Sequence, residues 1–566
     1  MKKTFLAAIC TIFAAVALNS CIGGNADKRI ADVLDAVPAE ADMVGVLDIK
    51  LLMNSADIEL NGSDIILPTY IKNEIPGEAM NEFEEFEEEY AETGLDISAG
   101  AMFASLSGDR ERMFFVLPVR DKATFSDYME NHEEQLSETE KGVTYYYTNS
   151  SWDDQIRIEC AENNGYVYFL ESRRYFDNMD EAIRILQPFF APEKSYRSTM
   201  QGALILEGNG GGFAFTMPKV LIREMRKEDV PSSISNSLEG AYFVANYTLN
   251  ADKLVTTMAV YDSNNKPLSL NNIIGNEIPG LTLTSGIDSK ILKYLPANTI
   301  AAYAANVEGT DWNELFDWSA ETFRLSRDER GALTMVGSYL KKLGGNIAIG
   351  AGFDGGLKEV GQLINGEANP LENITFGVAI QTQPNGASDL IKELSGLLDM
   401  AEMPYEKINN GLSVSIPDLG EIYAMAIDDM IVISNEKITA AQSNPVSRTD
   451  FGEQILGCIF VVDKNNQILQ DLGINYGLEM VGGYSANPLR GDGELRIIGS
   501  PDNLVTSIVK TVFDIVNNAD KLYSRYFERK YEYNDYDYDY DYDYPAVEEV
   551  EEVAAIDSVA AYDYYY

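Results

Sequence analysis

Histidine is nearly absent from this chain: 566 residues contain one, His132. A Ser-His-Asp or Cys-His arrangement would have to use it, yet it stands in Glu130, Asn131, His132, Glu133, Glu134, the pattern of a solvated helix face. Zinc sites that need several His and Cys ligands are excluded in practice. Cysteine is scarce as well, four in all, so nothing here reads as a disulfide scaffold. Cys160 follows Ile156 and Ile158 on an alternating apolar face. Cys458 sits in the strand-like run Gly457, Cys458, Ile459, Phe460, Val461, Val462, and both thiols read as small buried hydrophobes. Basic residues are outnumbered, 43 Lys and Arg against 90 Asp and Glu, for a formal charge of −47. That field excludes electrostatic binding of nucleic acid, which needs cations against phosphates.

Long apolar runs are missing too, apart from Phe5 to Leu18 behind Lys2 and Lys3. This run is too short to span a bilayer and is placed as a secretory signal. It ends in Leu18, Asn19, Ser20, Cys21, which resembles the bacterial lipobox: an aliphatic residue, a small one, then the cysteine that is acylated and exposed by cleavage. Asn19 is the less usual choice, and an ordinary signal with an incidental cysteine is the alternative. Acyl chains of the palmitate kind on Cys21 would anchor the protein without spanning, each buried methylene contributing ~0.8 kcal/mol. The expected partner is therefore a membrane, engaged through lipid on Cys21. Ile22 in place of Asp, by the same resemblance, points to the outer membrane of a cell envelope. Residues 1–20 are then signal and 21–29 a tether in which Gly23, Gly24 and Asn25 are flexible.

What the chain does have is internal repetition. Leu34, Asp35, Ala36, Val37, Pro38, Ala39 precedes apolar Met43 to Leu47, and Leu292, Lys293, Tyr294, Leu295, Pro296, Ala297 precedes Ile300 to Ala305, with the prolines 258 residues apart. Further on, Gly94, Ile97, Gly100, Ala101 and Phe103 align with Gly344, Ile347, Gly350, Ala351 and Phe353 at an offset of 250. Leu238, Glu239 and Asp262 answer Leu478, Glu479 and Asp502 more loosely.

Each copy repeats one order of signals. A strand is followed by helical Glu78 to Glu92 or Trp312 to Leu325, then by a strand (Met113 to Val119; Ile374 to Gln381) and an amphipathic helix (Thr124 to Leu136; Ala387 to Leu398). Hairpins come next, Gly142 to Thr148 with Gln155 to Cys160, and Gly411 to Ile416 with Glu421 to Ala426. In this alignment Cys160 falls opposite Ala426. The expected class is α+β, in two tandem similar units over 30–286 and 287–520, each an antiparallel sheet with helices packed on one side. A tail over 521–566 completes the chain.

The lipobox, the Pro-Ala turn before a Val/Ile-rich strand ending in Asp48 and Lys50, and the two-copy body resemble the domain-of-unknown-function lipoproteins common in gut-dwelling diderm bacteria. The resemblance covers residues 30 to 520 for the most part. It implies an envelope location and no mechanism.

Candidate sites are few. Gly350, Gly352 and Gly355 have the G-x-G-x-x-G spacing of a phosphate cradle, but the surroundings read as antiparallel and a tight strand-end turn is expected. Tyr145, Tyr147 and Trp152, with Asp153 and Asp154, form a candidate ligand surface of the kind that stacks on sugars; tyrosines packed under helices are the alternative. From Tyr531 to Tyr566 the tail carries twelve acidic side chains and no basic one. Like-charge repulsion predicts disorder, with weak binding of divalent cations or cationic partners. Asp535, Asp537 and Asp539 have the alternate spacing of a calcium loop without its glycine and distal glutamate. Asp557, Ser558, Val559 resembles a short O-glycosylation acceptor. No catalytic residue, metal or cofactor is expected. The favoured reading is a non-catalytic binding or scaffold protein for a protein or glycan partner; the alternative is a carboxylate-dependent hydrolase acting on glycans.

Overall fold

Runs of consecutive buried residues mark strands covered on both faces, and Phe114 to Leu117 is one of them. The computed structural model describes residues 28–526, apart from breaks at 75–76, 107–111, 150–154, 172–174, 228–231, 275–277, 283–285, 324, 328–329, 332–340, 366–372, 418–419 and 518. The signal, Cys21, Trp152 and residues 527–566 lie outside the described residues; the first residues assigned to the tail, 521–526, instead belong to helix Ala519–Tyr526, whose Leu522 and Tyr523 interrupt the run of charge.

The strands of the first half are β1 (Met43–Leu47), β2 (Glu59–Asn61), β3 (Asp64–Ile66), β4 (Gly100–Ser105), β5 (Arg112–Pro118), β6 (Leu136–Glu140) and β7 (Val143–Asn149). They continue with β8 (Ile156–Asn163), β9 (Tyr166–Leu170), β10 (Tyr175–Phe176), β11 (Gly211–Thr216), β12 (Tyr242–Leu249) and β13 (Lys253–Tyr261). The second half supplies β14 (Thr299–Asn306), β15 (Leu343–Phe353), β16 (Ile374–Thr382), β17 (Glu406–Ile408) and β18 (Gly411–Ile416). Its remaining strands are β19 (Gly420–Ile427), β20 (Met430–Ser434), β21 (Leu456–Val462), β22 (Gly477–Ala486) and β23 (Leu489–Ile498).

Among the described residues all of these except the β2–β3 hairpin join one antiparallel sheet of 21 strands. The protein is α+β. β13 pairs with β23 and so seams the halves together. Outward from that seam the first half runs β13, β12, β11, β1, β4, β5, β9, β8, β7, β6. The second runs β23, β22, β21, β14, β15, β16, β20, β19, β18, β17. With the short edge strand β10 set aside, chain order within each half maps onto position in the same way. The outermost strands, β6 and β17, are short and carry Glu138, Glu140 and Glu406, and β6 is exposed along its whole length.

Helices lie on both faces, not on one as the strand patterning suggests. In the first half Lys28–Ala36, Met179–Phe190 and Met200–Ile205 cover the face bearing Val44, Phe103, Phe114 and Val244. Gly77–Thr93 and Lys122–Asp127 cover the opposite face around Cys160 and Val167. In the second half short 3-10 segments, Ser289–Tyr294 and Pro445–Arg448, pack over Ala302 and Ile459, with Gly386–Met400 on the other side. The last long helix, Leu504–Asn517, crosses back: Leu504 and Val505 pack with Leu47 and Leu52, and the Thr506 hydroxyl donates to the Ser55 carbonyl at 3.1 Å. Among the described residues no helix is long and apolar enough to cross a membrane.

Asp48 explains how the N-terminal helix is held. It caps helix Ile49–Ser55, accepting from the Leu51 amide at 3.0 Å, and its other oxygen takes the Arg29 guanidinium at 3.0 Å. A wholly buried carboxylate needs such partners.

Candidate functional site

Side chains along a strand alternate between faces. On β13 and β23 this groups Val255, Thr257 and Ala259 with Arg490, Asp492, Glu494 and Arg496 on one side of the seam, through pairs such as Thr257 with Asp492. On that face lies a groove of about 840 Å³, walled by β22, β23 and the segment Pro445 to Gln454. A hollow of about 220 Å³ adjoins β12 and β13, bounded by Glu207, Thr257, Tyr261 and Arg490. The larger groove is of the size that ordinary ligand sites have.

The groove floor is a ladder of ion pairs. Lys253 Nζ meets Glu494 Oε2 at 2.9 Å, and Arg490 meets Asp492 at 2.9 Å. Arg496 lies between Glu479 and Glu494. The hydrogen bond that Arg496 donates to Glu479, with the charges of Glu479, Glu494 and Asp252, pushes Arg496 above its ordinary value. Lys510 pairs with Asp502 at 2.7 Å. Polar groups of both signs on a rigid strand suit recognition of a partner that donates and accepts hydrogen bonds. They form no nucleophile-base pair, and the groove lining holds no aromatic ring, which a sugar-cleaving cleft would use to seat its substrate.

Sequence reading missed this groove. Its one signal is the run Arg490, Asp492, Glu494, Arg496, four charges at a spacing of two, which marks a solvated face on a strand that is otherwise apolar.

The residues that sequence reading singled out do not assemble into a site. Tyr145 is wholly buried in the core against Phe190, with ring centroids 5.8 Å apart, and burial aided by the Glu140 charge pushes its phenol up to about 12. It presents no face to a ligand. Tyr147 is half-buried on the same core, and Trp152 lies outside the described residues. His132 is exposed and stacks on Tyr128 at 5.6 Å. Gly350 and Gly352 stand inside β15, antiparallel to both neighbours, and the space a Cβ would need is taken by Leu295, Thr299 and Asn298. No phosphate cradle is formed. Among the described residues no group of three or more His, Cys, Asp and Glu has metal-binding geometry. Cys160 and Cys458 are both thiols, the first buried.

No family model matches the chain, and neither does any curated protein or solved structure.

Proposed function

We propose that this is a lipid-anchored protein of the outer membrane, tethered through Cys21, whose body binds or scaffolds a protein or glycan partner at the seam groove and performs no catalysis. The groove carries the reading: it has the volume of a ligand site, and its floor is polar and built on paired strands. The lipobox supports the anchor, and the breadth of the sheet suits a scaffold.

The body is, in this reading, two copies of one α+β unit over 30–286 and 287–520. The identical mapping of chain order onto sheet position supports it. So does the seam, where the last strand of each half meets its counterpart antiparallel, the self-complementary contact of a two-fold dimer. The acidic tail is a disordered, solvating extension with weak affinity for divalent cations.

Two measurements test the proposal. Cells producing Cys21→Ala should release the protein from the membrane fraction, and its retention there would remove the anchor. Glycan and peptide arrays probed with the full chain should give ligands whose binding Glu479→Arg and Asp492→Arg abolish; unaltered binding would move the site elsewhere.

A further inference from the structure

A second cavity lies in the first half, on the face away from the groove. It has about 140 Å³ of room, close to the ~150 Å³ apolar cavity known to take up benzene. Leu95, Phe125 and Met129 wall it on one side, and Cys160 and Phe169, neighbours across β8 and β9, on the other. Its mouth is acidic: Glu89, Glu133 and Glu159 line it together with Tyr128. Arg157 answers Glu159. Glu89 has a neutral partner, the Tyr128 hydroxyl, which donates to it at 3.2 Å and lies 3.5 Å from Glu133. Desolvation, with the charges of these two carboxylates, raises the Tyr128 phenol so that it stays a neutral donor.

The backbone at the mouth is itself unusual. Tyr128–His132 forms a π-helical turn after helix Lys122–Asp127, a geometry that concentrates at functional sites. It aims Tyr128 and Met129 at the cavity. The matching strand positions in the second half hold Ala424 beside Ile433 in place of Cys160 beside Phe169, so the site belongs to the first half alone.

We propose that this cavity binds a small primary amine carrying one benzene-sized apolar group. The apolar group fills the chamber, and the ammonium sits at the mouth against Glu89, Glu133 and the Tyr128 oxygen. Apolar burial supplies affinity, while the carboxylates select a cation over a neutral molecule of the same shape.

The test is calorimetric titration of the detergent-solubilised full chain with phenethylamine, and with toluene as the neutral probe. Phenethylamine should saturate one site. In Glu89→Gln/Glu133→Gln its affinity should fall about tenfold, the loss of two half-exposed charge contacts, while toluene binding stays within about twofold. Cys160→Phe, which fills the chamber from its β8 wall, should abolish both while leaving the melting temperature near wild type. Absence of saturable phenethylamine binding overturns the proposal. Equal loss of both probes in the Gln variant does so too, as does amine binding to a folded Cys160→Phe protein.

Discussion

Phe103 faces Phe114 across β4 and β5, and Gly350 faces Gly377 at the corresponding place across β15 and β16. In the first half the two rings stack at 4.8 Å, and Phe189 lies 5.0 Å from Phe114. The sheet itself supplies the volume, and the helix above rests on it. In the second half the volume comes from the other side: a Cβ on Gly350 would stand 2.7 Å from Leu295 Cδ1, and one on Gly377 would stand 2.5 Å from Pro296 Cδ. Leu295 and Pro296 lie almost on the backbone. One strand pattern therefore supports two kinds of core, one filled from the sheet and one from its cover, because packing asks for volume and not for a particular source of it.

The two kinds of core should fail differently. Phe114→Ala leaves a hole that no covering segment can fill and should cost about 3–5 kcal/mol in denaturant unfolding. A loss no larger than that of an exposed substitution would mean that the first half is also filled from above. Alkali should separate the halves next. Most of the buried phenols with raised values, Tyr145, Tyr168, Tyr196 and Tyr242, are in the first half. The unfolded chain ionises a phenol near pH ~10, and the folded one does so later, so the stabilisation is complete below that value and is lost as pH rises through about 12 for Tyr145. On the order of 2 kcal/mol disappears by then from this residue alone. Hydrogen exchange against pH should show the strands β4 to β9 opening before β14 to β20; the reverse order would break the comparison.

Gly377→Ala should cost about 1–3 kcal/mol by overpacking Pro296, whereas a similarly small change at Phe114, to Leu, should be absorbed by Phe189. Lys253→Met, at the seam, should lower stability by ~0.2–1 kcal/mol, since its partner Glu494 is partly solvated. The smallest effect is kinetic. Cys458, half-buried, should react in the native protein with an alkylating reagent too bulky for the 140 Å³ cavity, and Cys160 should react with that reagent only after opening.

Much of the fold was legible in these residues. The Pro-Ala turns at Pro38 and Pro296 lead into strands whose buried positions agree, Val44 and Val46 with Ala302 and Ala304. The hairpin turns at Asn164 and Asp428 both adopt positive φ, 51° and 52°. The middle of the alignment was not legible. Matching Gly100 to Gly350 is wrong by three residues, because strand pairing sets Ala101 against Val46 and Ala348 against Ala304. Phe103 thus answers Gly350, and a shared glycine was a false guide. Cys160 answers Ala424 in place of Ala426, a slip of two that keeps the same face. Strands β6 and β17 escaped notice since their polar sequences have no apolar period. The helix expected from Thr124 to Leu136 ends early for the same reason: Leu136 opens β6. The groove stayed hidden because an edge-to-edge pairing of β13 with β23 depends on 230-odd residues of intervening chain returning to one place, and no local pattern records it.

The charged strands that close the sheet at β6 and β17 take on a further meaning for a molecule held in a plane. Tethered as proposed, neighbouring copies would diffuse in two dimensions and meet rim to rim far more often than in free solution. Each rim offers unpaired backbone groups that another strand could join. Charged side chains on those rims, Glu138 and Glu140 on β6 and Glu406 and Lys407 on β17, would have to be stripped of water before another strand could dock, so a crowded layer of such proteins would behave as separate particles and not as the first rows of a fibre.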